Sequence, residues 1–286
     1  MAEKMNETER YYREAINDPY KCMETVKKAP WSIRYAKEQT LELCMEAVQN
    51  DGEVLAYVKE QTPEICMAAV KNDGLALDYV KEQTPEICMA AVKNCGWALE
   101  YVKEQTPEIC TAAVKNIEWA LEYVKEQTPD ICMAAINSNG LALQYVKEQT
   151  PDICMAAVKN SGWALEYVKE QTPEICMAAV QENFRAIRFV KEQTPEVCMT
   201  AVNESAKALQ YIEHQTPEMF IAAMKHDSRA VNYISEECAK SLINNVEKRI
   251  SNGQAVKPEE YYAYQNLTAE LEPINSEVDM NEDFEM

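Results

Sequence analysis

The chain has 286 residues, is 47% hydrophobic and 8% aromatic, and carries a formal net charge of -20. An acidic surface argues against a nucleic-acid or anionic-membrane partner, because both need a basic patch. No apolar run approaches the roughly 18 residues of a spanning helix, and the opening Met1-Ala2-Glu3-Lys4-Met5-Asn6 is too polar for a secretory leader.

In chain order, residues 1–17 come first, and Tyr11, Tyr12, Ala15 and Ile16 predict a capping helix there. Residues 18–235 are one segment written ten times. Copies start at Asp18, Thr40, Thr62, Thr84, Thr106, Thr128, Thr150, Thr172, Thr194 and Thr216, 22 residues apart without an insertion. A fixed period of this size is the signature of a stacked repeat array.

Counting the unit from its Thr, position 1 is a natural N-cap, position 2 is Pro in nearly every copy, and position 3 is acidic, as in Thr62-Pro63-Glu64. The hydroxyl can accept from an unpaired N–H of the first turn, the proline arrives with a helical φ, and the acid meets the positive end of the helix dipole. Ile65, Cys66, Ala69 and Val70 then form one apolar stripe. Asn at position 11 and Gly at position 13 read as a stop, with the glycine taking a left-handed turn. Where Pro30, Glu118, Phe184, Ala206 or Ser228 replaces that glycine, a different turn is expected. A second α-helix is predicted over positions 14 to 21, with apolar residues at 15, 16 and 19. Helices of roughly 8 to 10 residues are marginal alone, so the hairpins must stack. The expected fold is all-α, an α-solenoid of ten helical hairpins. Residues 236–250 read as a polar C-terminal capping helix, and 251–286 as an acidic, largely disordered tail with a short helix near 258–266.

The repeats turn each position into a column. Cysteine fills position 5 from Cys22 to Cys198, and Phe220 ends the row. Neighbouring copies lie on the order of 9 to 10 Å apart, too far for disulfides, which need Cα atoms within about 7 Å. One Cys per unit supplies neither a C-x-x-C pair nor the ligands of a zinc site. The row therefore reads as buried small hydrophobes, with thiol or metal chemistry disfavoured, and its free thiols point to a reducing, cytoplasmic compartment. Position 18 is Tyr or Phe throughout. Position 14 holds all four tryptophans, Trp31, Trp97, Trp119 and Trp163, but also Glu53, Leu75 and Arg185, so it cannot be buried in every copy. Four residues separate the two columns, so Trp97 with Tyr101, Trp119 with Tyr123, and Trp163 with Tyr167 are expected to share a helical face as a partly exposed aromatic strip. Such rings serve as anchors for a protein partner. The column turns basic at Arg185, Lys207 and Arg229, with Arg188 beside it, a place for an acidic segment or the chain's own tail.

The unit Thr-Pro-Glu-Ile-Cys-Met-Ala-Ala-Val-Lys-Asn-x-Gly-x-Ala-Leu-x-Tyr-Val resembles the repeats of the family catalogued as domain of unknown function 4116. The resemblance implies an all-helical tandem repeat and carries no catalytic residue onto this sequence. His214 and His226 are the only histidines, and neither a phosphate loop nor a serine elbow occurs. The residues thus predict a non-enzymatic scaffold for a protein or peptide, without cofactor or metal. The alternative is a rod that assembles with itself, end to end.

Overall fold

A computed structural model describes the backbone of residues 7–278 and the side chains of residues 7–269. The polar opening residues 1–6 and the last acidic residues, 279–286, lie outside it. The chain divides into two compact units, residues 1–148 and 149–286.

The first unit opens with α1 (Glu7–Ala15) and continues with α2 (Cys22–Lys28), α3 (Leu41–Asn50), α4 (Pro63–Asn72), α5 (Pro85–Asn94), α6 (Pro107–Asn116) and α7 (Pro129–Ser138). From α2 onward, each is followed by a six-residue 3₁₀ helix, from Pro30–Tyr35 to Gly140–Tyr145. The second unit holds α8 (Pro151–Asn160), α9 (Pro173–Glu182), α10 (Pro195–Glu204) and α11 (Pro217–His226), each with its 3₁₀ partner, and then α12 (Glu236–Ser251) and α13 (Pro258–Val278). Within each unit, α-helix packs on the next α-helix and 3₁₀ helix on the next 3₁₀ helix. The fold is an all-α repeat array, without a strand among the described residues.

Each α-helix starts where the sequence puts it. Thr84 Oγ1 accepts the Ile87 N–H at 3.4 Å, Pro85 is the first helical residue, and the same arrangement recurs in the other Thr-Pro copies. Helix N-termini hold Glu64, Glu86, Glu108 and Glu174 below the usual carboxylate range, chiefly through each residue's own backbone N–H. The stripe at positions 4, 5, 8 and 9 is buried, as with Ile65, Cys66, Ala69 and Val70.

The second half of the repeat departs from expectation. It is 3₁₀ rather than α and covers positions 13 to 18, because Ala76 N–H bonds Asp73 O at 3.0 Å and Val80 N–H bonds Leu77 O at 3.1 Å. A 3₁₀ helix has three residues per turn, so Gly74, Leu77 and Val80 line up, and all three are buried. The turn before it is one extended residue, Asp73 at φ -138° and ψ 115°, whose side chain accepts Leu75 N–H. The predicted left-handed glycine is therefore absent. Among the described residues only Gly253 has positive φ. Pro30, Glu118, Phe184, Ala206 and Ser228 open 3₁₀ helices just as the glycines do. What the glycine supplies is close approach: a Cβ on Gly74 would sit 2.6 Å from the Ala91 carbonyl oxygen of the next repeat.

Polar side chains sew the seams. Gln61, at position 22, donates to Leu55 O at 3.2 Å and to Tyr79 O at 2.9 Å, and its Oε1 accepts Lys81 N–H at 3.0 Å. Lys81 Nζ donates to Lys59 O at 2.9 Å. Asn72, at position 11, accepts Gly52 N–H and donates to Gln49 O, both at 2.8 Å. At the front, Asn17 stands in for the glutamine on Tyr35 O and Lys37 N–H.

In the C-terminal segment, α13 is the main described element. The helix α13 runs well past the expected 258–266 and packs on α11, α12 and the 3₁₀ helix Ser228–Tyr233. Ala263 and Leu267 are buried there, and Glu260 pairs with Arg249 at 2.6 Å.

Candidate functional site

The aromatic columns lie on the 3₁₀ helices. Trp97, Trp119 and Trp163 are half-buried, as are Tyr101, Tyr123, Tyr145 and Tyr167. Tyr57 and Tyr79 are 42% and 39% exposed. Their partnership differs from the predicted pairs. Trp97 meets Tyr123 edge-on, with centroids 5.8 Å apart, rather than Tyr101. Trp119 meets Tyr145 at 5.9 Å rather than Tyr123, and in the second unit Trp163 meets Phe189 at 5.7 Å rather than Tyr167. The 3₁₀ turn is the cause. At about 120° per residue, positions 14 and 18 no longer share a face, and these three indoles cross the seam to the ring of the following repeat, whereas Trp31 meets Tyr12 at 5.0 Å and Tyr35 of its own repeat at 6.2 Å. Edge-to-face pairs of this kind hold both rings in place.

Cations sit on this row at two places. Arg34, at position 17, lies 5.8 Å from the Tyr57 ring centroid in the next repeat, and also over Trp31 and Tyr35. Arg188, at the same position in the second unit, lies 5.5 Å from the centroid of Tyr211. The basic column at Arg185, Lys207 and Arg229 is exposed along with Arg188. Arg185 stacks on its neighbour Phe184 at 4.8 Å, and Arg229 is held by Asp227 at 2.9 Å. That guanidinium holds the Asp227 carboxyl below its usual range. In the first turn of α13, Glu259 pairs with Lys225 at 3.9 Å and Glu260 with Arg249.

The cysteine row lies in the core. Cys44 through Cys198 at position 5, and Cys238, are buried, while Cys22 and Cys95 are half-exposed. Burial pushes the buried thiols up, Cys198 and Cys238 to about 11. Several donate weakly to the seam glutamine, as Cys88 does to Gln83 Oε1 at 3.6 Å. His214 and His226 are exposed. No three His, Cys, Asp or Glu side chains converge as metal ligands among the described residues, and no helix among them is long and apolar enough to cross a membrane.

One surface feature escapes column reading of the aromatics. Position 6 is a half-buried methionine in Met45, Met67, Met89 and Met133 but Thr111 in between. Over the shorter threonine a groove of about 740 Å³ opens on the α-helices, between Met89, Pro107, Ala112, Lys115 and Ile131. The substitution of one methionine in the row was the sequence signal for it. The seam glutamines were equally visible, as an unbroken column from Gln39 to Gln215.

The profile of the family described as Domain of unknown function (DUF4116) matches residues 40–83, 62–106, 84–127, 128–172 and 150–194, more than half of the chain. The chain belongs to this family. Neither the curated proteins nor the solved structures give a match. The family repeat spans the α-helix, the 3₁₀ helix and the seam residues described above, so membership accounts for the architecture and assigns no chemistry.

Proposed function

We propose that this DUF4116 protein is a non-catalytic scaffold that holds a protein or peptide segment on the 3₁₀ helices of its units. The observation that carries the reading is the set of large, partly exposed rings on the 3₁₀ helices of each unit, three of which, Tyr123, Tyr145 and Phe189, are braced edge-on by an indole of the preceding repeat. Rigid amphipathic rings at partly exposed sites are the usual hot spots of protein interfaces. The non-catalytic part of the reading draws support from the thiols, which burial keeps protonated and out of reach. Eleven free cysteines suit a reducing compartment. End-to-end self-assembly has less support, since α13 lies over the last repeat.

The test is capture from cells that make the protein, followed by titration of the purified captured partner. Wild type is compared with a Trp97→Ala, Trp119→Ala, Trp163→Ala variant and with Thr111→Met, both shown to be folded by circular dichroism. The triple variant is expected to lose about 2 kcal/mol or more of binding, the scale of a hot-spot truncation, and Thr111→Met to bind normally. A partner lost on Thr111→Met but kept by the triple variant moves the site to the α-helical groove. Recovery of only the protein itself makes self-assembly the better reading.

A further inference from the structure

The 3₁₀ row is not uniform, and its variation points to the chemistry of the bound segment; this step rests on the scaffold reading above. Position 17 of each repeat neighbours the position-18 ring of the next. In two seams it is arginine, and the guanidinium lies over that ring, as Arg34 does on Tyr57 and Arg188 on Tyr211. In three consecutive seams of the first unit the same position is acidic, with Asp78 before Tyr101, Glu100 before Tyr123 and Glu122 before Tyr145. These carboxylates are exposed, and no ion pair among the described residues engages them. The rings between them sit in their field: Glu100, then burial and Asp78, push the Tyr101 hydroxyl up, and burial with Glu100 and Glu122 does so at Tyr123.

We propose that Tyr101, Tyr123 and Tyr145, with Asp78, Glu100 and Glu122, bind an extended arginine- or lysine-bearing segment of a partner protein, its cations taking over these rings the place that Arg34 and Arg188 take over theirs. The physics is the same in both settings. A cation over an aromatic face gains from the ring quadrupole, and a carboxylate beside it supplies the opposite charge that an internal arginine does not need. Trp97 and Trp119 brace Tyr123 and Tyr145 edge-on, so the rings are preorganised. The repeat sets the register. Packed helices lie about 8 to 10 Å apart, and a segment in the extended polyproline II conformation advances about 3.1 Å per residue with about three residues per turn, so cations at every third residue fall on one face and meet successive rings.

The decisive experiment uses a synthetic peptide with arginine at every third position and glycine and serine between, titrated at low ionic strength by calorimetry and tryptophan emission. A second peptide of equal composition carries its arginines together. The full chain is compared with Asp78→Asn, Glu100→Gln, Glu122→Gln, and with a charge-matched control, Glu64→Gln, Glu86→Gln, Glu108→Gln, on the α-helices. Saturable binding of the spaced peptide is expected, at least about tenfold weaker on the strip variant and on the clustered peptide, and little changed on the control, where tenfold corresponds to about 1.4 kcal/mol. Equal losses on both variants would mean attraction to a net charge of -20 in general and would overturn the site, as would absence of binding. If the spaced peptide fails while a tryptophan-dependent partner is still captured, the basic-segment inference falls and the scaffold stands; if both fail, so does the scaffold.

Discussion

Gln105 bonds three backbone groups on the two sides of its seam. It donates to Leu99 O at 3.4 Å in its own repeat and to Tyr123 O at 2.9 Å in the next, and accepts Lys125 N–H at 2.9 Å. Leu99 O already accepts the Val102 N–H at 3.2 Å, so the glutamine amide matters most for Tyr123 O and the Lys125 N–H across the seam. Gln105→Ala leaves partly buried groups without partners, and about 1 to 3 kcal/mol should be lost. Urea unfolding checks this, with Gln144→Ala, an exposed glutamine bonded only to Leu141 within its own repeat, as the mild control. Gly74→Ala is a second test at this scale. The added Cβ would meet the Ala91 carbonyl oxygen at 2.6 Å and the Cys95 backbone N at 2.9 Å, so the seam must open, at a cost of about 1 to 3 kcal/mol. Were the glycine there for a left-handed turn, backbone angles would be the reason; its φ is negative and contact is the reason. The seam has a matching rule. Gly52, Gly74 and Gly96 each donate N–H to an asparagine 20 residues on, whereas Pro30 has no N–H to offer and Asn50 turns back to Glu46 instead.

At the scale of elements, the α-helices were legible because their signals are local. Thr, Pro and Glu in consecutive positions act within one turn, and the four-residue stripe fixes which face is buried. The 3₁₀ helices were not. Ala76, Leu77 and Val80 fit the apolar spacing of an α-helix as well as that of a 3₁₀ helix, and the choice is made by Gln61 and Lys81 reaching across seams that sequence order does not display. The same misreading displaced the aromatic pairs, since a period of 3.6 put Trp97 over Tyr101 and a period of 3 sends it to Tyr123. The start of α13 was legible in the short helix expected near 258–266, but its length and docking were not, because the residues that dock it, Ala263 and Leu267, are few. Leu267→Ala should therefore cost about 2 to 5 kcal/mol locally, seen as faster amide exchange in α11 and α12. Glu259→Gln should change little, because an exposed pair such as Lys225–Glu259 contributes about 0 to 1 kcal/mol.

Across the whole molecule the cysteine row couples stability to pH. Nine cysteines, Cys44 through Cys198 at position 5 together with Cys238, are buried, and two, Cys22 and Cys95, are half-exposed. Burial raises the buried thiols, with Cys198 and Cys238 reaching about 11, against about 8.5 in an unfolded chain. A raised folded value means that between these limits the unfolded chain has released protons that the native one still holds. Linkage then gives a stability that is complete below about pH 8.5 and falls as pH rises toward 11. Tyr101 and Tyr123 are shifted in the same direction and add to the decline, so the thiol share must be isolated. Cys198→Ala does this: it lowers stability at neutral pH by removing packed volume, yet flattens the slope between pH 8.5 and 11 relative to wild type. Denaturant midpoints across that range measure the slope, and equal slopes would show that the thiols contribute nothing to it. Labelling supplies the kinetic counterpart. At pH 8 a thiol reagent should react quickly with Cys22 and Cys95 and with the other nine only at the rate at which repeats open, because a thiol that burial keeps protonated reacts only when its repeat exposes it to water.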